Sequence, residues 1–374
     1  MKSSTEKSVL ISGASFAGLS TAYWMNKLGY DVTVVEIAKG LKKGGTPVNI
    51  MGNTIDIVKR MGLLEQIQLN KITMEAMEFK NADDFTVRVD SIQKDRVQIV
   101  EEEYEIERDV LLNMMFEAAK DDVEFIFGDS IVSMKEEANS VGVAFKGGQK
   151  RSFDLVFGCD GIHSPVRKYW FGEESEFSHF LQTYFSITIV NKLLTREYTT
   201  QMYNEPGKMV MLNAYNNKTD IVLCFFSENE IPYNYRNEEE QRNIILNQFS
   251  GTGWRTPELL EEVKNSKTFY FDKLCQVIMP SWTKGRVALV GDAGYCVSPA
   301  AGRGGSVAID GAAALADAFQ KCHGNFELAF QEYNNSFRPF IEEVQAGVVN
   351  FGLEILIPRT EEAIRKTNTQ TKIF

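Results

Sequence analysis

The sequence predicts an α/β protein with an α+β insert, and three observations predict it. A short apolar strand runs into a glycine turn and then a helix near the N-terminus. A second strand, ending in glycine and aspartate, recurs about 280 residues later. Between them lies a stretch of alternating polarity broken by polar turns, the pattern of an antiparallel sheet. Nucleotide-type segments therefore stand on both sides of an inserted sheet, as in a chain of two interleaved domains.

The chain has 374 residues, 44 % of them apolar and 24 % charged. That length suits two domains sharing an interface better than one core. A formal net charge of −11 repels phosphate backbones and anionic lipid, which argues against nucleic acid and membrane surfaces as partners. No stretch reaches the roughly 18 apolar residues a membrane helix needs. The N-terminus lacks the apolar core of a signal peptide, so a cytoplasmic location is expected. Cys159, Cys224, Cys275, Cys296 and Cys322 are odd in number and unclustered, which predicts reduced thiols. His163, His179 and His323 are too scattered for a metal site, and no G-x-S-x-G supports a serine triad.

Ser8 to Ser12 reads as a buried strand, Phe16 to Leu28 as a helix ended by Gly29, and Asp31 to Glu36 as a second strand. This β-α-β unit predicts parallel strands. A helix is expected from Asn53 to Met61, strands within 73–100, and a helix from Arg108 to Ala119. Val123 to Phe127, Val141 to Phe145 and Phe153 to Phe157 read as three further strands. Tyr184 to Val190, Met209 to Ala214 and Ile221 to Phe226 read as strands of the insert, with a turn at Asn216-Asn217-Lys218. Glu238 to Phe249 and Pro257 to Asn265 are helical in period, Arg286 to Val290 is a short buried strand, and a helix follows from Gly304 to Lys321. A long helical region closes the chain from Phe326 onward, with Phe326, Phe330, Phe337, Ile341, Val344 and Val348 on one stripe, and Pro339 is expected to kink it. These segments predict a Rossmann-like nucleotide domain from 1–72, 101–178 and 272–325, a substrate domain from 73–100 and 179–271, and a helical region, 326–374, resting on both.

Gly13-Ala14-Ser15-Phe16-Ala17-Gly18 lies between the first strand and the first helix. Gly13 permits the tight turn, Gly18 lets helix and sheet approach, and the helix start offers bare N–H groups to a pyrophosphate. Glu36 ends the second strand, 23 residues after Gly13, where a carboxylate can accept from adenosine ribose hydroxyls. Ser15 stands where the motif has its second glycine. Far downstream, Arg286 to Gly294 forms a strand running into Gly291-Asp292, followed by Ser298-Pro299-Ala300-Ala301-Gly302-Arg303-Gly304-Gly305. Its carboxylate can hold a polyol hydroxyl, and the next helix again starts at glycines. Two such elements point to one long ligand touched from two sides.

These residues carry a resemblance. Gly291-Asp292 with Pro299, Gly302 and Gly304 resembles the second flavin fingerprint of the group A FAD-dependent aromatic monooxygenases, the family of p-hydroxybenzoate hydroxylase. Phe157-Gly158-Cys159-Asp160-Gly161 through Arg167 resembles the family's Asp-Gly motif, which is tied to FAD and NAD(P)H. Arg108 matches its flavin-contacting arginine. Within the family, Gly44-Gly45-Thr46-Pro47-Val48 and Ser281 to Cys296 are most similar to the tetracycline-inactivating monooxygenases, the tetracycline destructases. Arg303 departs from them, since glutamine is usual between those two glycines.

The resemblance implies noncovalent FAD, NADPH or NADH as a transient donor, and transfer of one oxygen atom from O2 to an aromatic or polyketide-like substrate by a monomer. It implies that Gly13, Ser15, Ala17 and Gly18 cradle the pyrophosphate, that Glu36 holds the ribose, and that Gly45 and Thr46 lie beside the isoalloxazine. Arg108 and Asp292 contact the flavin chain, and Gly302, Gly304 and Gly305 open a helix toward the reduced ring. Pro299 and Ala300 flank the substrate, with Phe185 and Phe225 as candidate lining residues. Asp160 is structural or nucleotide-related. No acid–base pair is required, because the flavin performs the hard step. His163 reads as a solvated turn residue and Cys159 as a small buried one. A flavin-dependent halogenase does not fit, because no two of the four tryptophans have that family's Trp-x-Trp spacing. A flavin oxidoreductase without oxygen transfer and a drug- or pigment-binding protein of the same fold remain alternatives.

Overall fold

The computed structural model describes residues 7–91, 102–349 and 353–369. The first strand, Ser8–Ser12, is buried along nearly its whole length and pairs in parallel with Asp31–Glu36 on one side and Leu155–Gly158 on the other. Glu124–Phe127, Val287–Leu289 and Thr283–Lys284 complete a six-stranded sheet, parallel except at its Thr283–Lys284 edge. Strands sandwiched between helices bury both faces, which is why they read as unbroken apolar runs. The first helix, Phe16–Lys27, and the late helix, Gly304–Lys321, pack against each other on this sheet.

A seven-stranded sheet runs in the order Phe269–Val277, Ser178–Val190, Lys218–Phe226, Lys208–Tyr215, Thr199–Glu205, Ala76–Lys80 and Thr86–Ser91. It departs from the expected antiparallel sheet at one place, where Thr199–Glu205 pairs in parallel with Ala76–Lys80. Asn216 and Asn217 both take positive φ, 45° and 60°, as a two-residue hairpin turn demands. The strand Phe269–Val277 runs through the domain boundary drawn at 271, so residues up to Val277 belong to this sheet. Residues 92–101, read partly as strand, lie outside the described residues.

Alternation divides this sheet into two cores. Tyr184, Phe225 and Phe271 face Ile245, Leu259 and Val263 of the covering helices Glu238–Gln248 and Thr256–Asn265, and Phe249 just after the first. Phe185, Met202, Met209, Val222 and Leu274 face the other way, toward Ala300 and the C-terminal residues Leu353, Leu356 and Ile357.

One further expectation is corrected. Phe153 to Phe157 is not one strand: Lys150–Phe153 and Leu155–Gly158 belong to different sheets. Asp154 separates them because its carboxylate accepts from the Ser8 backbone N–H at 2.7 Å. The long helix Phe326–Gly347 carries Pro339 inside it. Phe330, Phe337, Ile341 and Val348 of its stripe are buried as the spacing predicts.

Candidate functional site

The early and late glycine segments meet. A Cβ built on Gly291 would lie 3.0 Å from Ala17 Cβ, and one on Gly305 would lie 3.5 Å from Phe16 Cδ2. The two helix N-termini therefore lie side by side. Neither helix carries a side-chain cap, at Ser15 or at Arg303. Ser164, Asn237 and Asn325 do cap the helices that follow them. Bare N–H groups at both starts present partial positive charge.

Gly13 turns at φ 101°, and a Cβ on it would lie 2.4 Å from the Cys159 carbonyl oxygen. On Gly18 it would lie 1.9 Å from the Gly13 carbonyl oxygen. Both glycines let backbone meet backbone. Ser15 occupies the departing position, and its Oγ accepts a hydrogen bond from Arg108 Nη2 at 3.2 Å. Arg108 also donates to the carbonyls of Lys42 at 2.9 Å and Gly44 at 3.1 Å. Asp109 accepts from the Gly44 N–H at 3.0 Å. One arginine thus ties the Gly44-Gly45-Thr46 segment to the glycine turn, and Gly45 leaves room for its Cδ, which would stand 2.7 Å from a Cβ there. Burial pulls the Arg108 guanidinium below its usual range, with Asp109 opposing; it stays charged.

Glu36 spends one oxygen on the Ala14 N–H and the other on the Ala38 N–H, each at 2.9 Å. Asp160 accepts from Ser12 Oγ at 3.0 Å, from the Val166 N–H at 3.2 Å and from Ser164 Oγ. Its carboxyl is raised by burial, against those hydrogen bonds. It braces the loop. Arg167, only 1 % exposed, extends that brace by donating to the Ala293 carbonyl at 2.9 Å.

Asp292 is open to solvent at its surface yet hemmed in by protein, as on the floor of a crevice, and burial pushes its carboxyl up to about 6. The nearby Asp272 charge adds to that rise. Ser298 holds φ 82°, a strained value for a non-glycine residue, and sets Pro299 at the start of the turn that carries Ala300. Gly302 and Gly304 have nothing within 4 Å of where a Cβ would stand, so a ligand can approach the late helix start there.

Phe185 and Ala300 share one apolar cluster. Phe225 does not join them. It is 1 % exposed on the helix-covered face, 5.3 Å from Tyr184 and 6.3 Å from Phe249, ring to ring. Phe185 pairs with Cys224 across the strands, so the neighbouring Phe225 must point the other way. Phe225 therefore does not line the face that carries Ala300. His163 is no solvated turn residue either: its Nδ1 lies 2.8 Å from Glu174 and its Nε2 3.4 Å from Asp272. Asp272, Tyr270 and Lys42 were not singled out by sequence, and no local motif marks them. Lys42 Nζ stands 5.3 Å above the Tyr270 ring.

Two bare helix starts side by side, a bracing arginine and a carboxylate at a strand tip fit an extended dinucleotide cofactor. A family model for an FAD binding domain matches residues 6–335. The chain belongs to that family, the flavin-dependent monooxygenases.

This FAD monooxygenase is similar to an uncharacterised protein of Mycobacterium tuberculosis, 36 % identical, the match covering 91 % of this chain and 92 % of that one. It is 32 % identical to a flavin-dependent monooxygenase of Legionella longbeachae, over 90 % of this chain and 86 % of that one. The crystal structure of tetracycline destructase Tet(51) superposes with a TM-score of 0.85 at 32 % identity, covering 97 % of this chain and 95 % of that one. Among the described residues, no helix of this monooxygenase is long and apolar enough to cross a membrane.

Proposed function

We propose that the protein is an FAD-dependent monooxygenase that takes electrons from NADPH or NADH and hydroxylates a polycyclic, electron-rich substrate of the tetracycline kind. One observation carries the substrate class. The sheet face that packs with Ala300 is apolar and rich in methionine, with Met77, Met202, Met209 and Met211 beside Phe185 and Ile187. Flexible thioethers suit a large flat ligand better than a small polar one. The likeness to a protein called a tetracycline destructase, across 97 % of this chain, supports the same reading.

FAD, once bound and reduced, supplies the activation of O2 for transfer of one oxygen atom to carbon. The chain's own residues have four tasks. Bare N–H groups after Ser15 and after Arg303 would bind negative charge. Arg108 would hold the Gly44–Thr46 segment against the cofactor, as it holds the Gly44 carbonyl now. Asp292 would accept or share a proton with a hydroxyl of the cofactor chain. Pro299 and Ala300 would set the distance between substrate and ring, with the methionine-lined sheet face excluding water. No glutamate or aspartate is assigned as a chemical base toward substrate.

The test is direct. FAD-loaded protein, NADPH or NADH and tetracycline are mixed in air, and the drug is followed by mass spectrometry. The expected result is faster nicotinamide oxidation and a drug heavier by one oxygen atom. An unchanged drug beside a flavin that the nicotinamide reduces overturns the substrate. A colourless preparation that FAD cannot reconstitute overturns the cofactor arrangement.

A further inference from the structure

One group of titratable side chains lies outside the tasks above. It runs along the seam between the Asp160–Arg167 loop and the edge strand Phe269–Val277. Tyr270 stands at its inner end, in the cluster that holds Ala300, with its ring 5.6 Å from that of Phe185. Its hydroxyl donates to Asp272 Oδ2 at 3.0 Å. The Asp272 side chain is only 5 % exposed, and the same oxygen lies 3.4 Å from His163 Nε2. On the far side of the imidazole, Nδ1 lies 2.8 Å from Glu174 Oε2, and the Glu174 side chain is 33 % exposed. Tyr235, on the surface, stacks on the His163 ring at 4.2 Å.

We propose that Tyr270, Asp272 and His163 form a proton relay between the Ala300 side of the sheet, where the flavin site is proposed, and solvent at Glu174. Each catalytic turnover requires one. Substrate C–H, O2, NAD(P)H and one proton yield substrate C–OH, NAD(P)+ and water, so a site that excludes water must still admit a proton. Tyr270 releases its hydroxyl proton into that site and recovers one from Asp272, which recovers one from His163 and solvent. The reverse order carries a proton out. Tyr270 serves as a link and not as a base. Burial, and then the charge of Asp272, hold its hydroxyl well above the ordinary phenol range.

The surrounding charges fit the task. Asp272 faces His163 from the edge strand and Glu174 faces it from the short turn Glu174–Glu176. Arg167 and Lys273 stand behind Glu174, at 3.9 Å and 3.7 Å. Burial alone would pull the imidazole down; its contacts with Asp272 and Glu174, and their charges, outweigh it and push it up to about 9. Tyr270 is faced by Asp272, Asp292, Lys42 and Arg108. The long 3.4 Å approach of Nε2 to Asp272 leaves that nitrogen without a well-formed hydrogen bond. A proton crosses there only when ring and carboxylate close to hydrogen-bond distance.

The relay rests on the flavin site alone, so its test uses neither nicotinamide nor drug. Holoprotein is reduced with dithionite without air, mixed with O2, and followed by flavin absorbance in H2O and D2O. Two electrons and the flavin N–H proton, with one solvent proton, reduce O2 to hydrogen peroxide. Wild-type reoxidation is expected to show a solvent isotope effect and to slow as pH rises through about 9. Tyr270→Phe and Asp272→Asn are expected to slow it about a hundredfold, and His163→Gln to abolish the pH dependence, with FAD still bound. Tyr233→Phe is the control, because its hydroxyl meets the other oxygen of Asp272, Oδ1, at 3.0 Å. It should leave reoxidation unchanged.

A second readout needs no turnover. The chain has three histidines, so each ring C–H signal is resolvable by NMR. His163 is expected to titrate near 9 and to shift down in Asp272→Asn. The relay is overturned if Tyr270→Phe reoxidises at the wild-type rate, if Tyr233→Phe slows equally, or if His163 titrates as a free imidazole. None of those outcomes touches the tetracycline reading, and an unreacted drug leaves the relay standing.

Discussion

At the early turn, a methyl group on Gly18 would lie 1.9 Å from a backbone oxygen; at the late turn, one on Gly304 would meet nothing within 4 Å. The residue type and the neighbouring helix start are the same, yet the constraint differs. Gly18 is required by the chain's contact with itself, and Gly304 leaves space in front of a bare helix start. A glycine in a nucleotide motif can therefore serve the fold or the ligand, and only its surroundings distinguish the two roles.

The sharpest break of this comparison is Gly18→Ala. Overpacking against backbone is expected to cost about 3 kcal/mol or more, read as a large fall in the thermal midpoint of the apoprotein. An unshifted midpoint would mean that the turn relaxes freely. Gly304→Ala is expected to do the converse: apoprotein stability stays within about 0.5 kcal/mol, while FAD affinity by fluorescence titration falls at least tenfold. Unchanged affinity would remove the late turn from the cofactor site.

Asp310, in the late helix itself, sharpens the comparison. It is 5 % exposed and accepts from Thr54 Oγ1 at 2.8 Å, and burial pushes its carboxyl up to about 7. A raised carboxyl means that the folded chain holds the proton more tightly than the unfolded one. Its contribution is therefore fully present below the ordinary carboxylate range and is lost as pH rises through about 7. Asp310→Asn should flatten that decline in denaturant melts across neutral pH. An unaltered pH profile would show that another group governs it. The smallest effect is expected at Ser15→Gly, which removes only the hydrogen bond from Arg108. About 1 kcal/mol of stability or less is at stake, and the thermal midpoint should move by no more than that implies.

Much of the nucleotide half was legible because its signals are local. Glycine before a helix, apolar runs and a carboxylate at a strand end each constrain their own neighbours in the chain. The insert was half-legible. Alternation puts Tyr184 and Phe185 on opposite faces of their strand, but a period of two gives neither the register against Phe225 nor which face meets the cofactor. That depended on where the covering helices Glu238–Gln248 and Thr256–Asn265 came to rest. The His163 cluster was not legible, since Asp272 is more than a hundred residues from it.

The sequence by itself determined the strand-turn-helix units, their order and the chemistry of their ends, because these follow from backbone geometry within a few residues. Only the tertiary structure decided that Gly291 lies against Ala17, that Arg108 reaches Ser15, and that Phe225 turns away from the site. Those are contacts across long chain separations, set by which surfaces bury each other and not by any local preference.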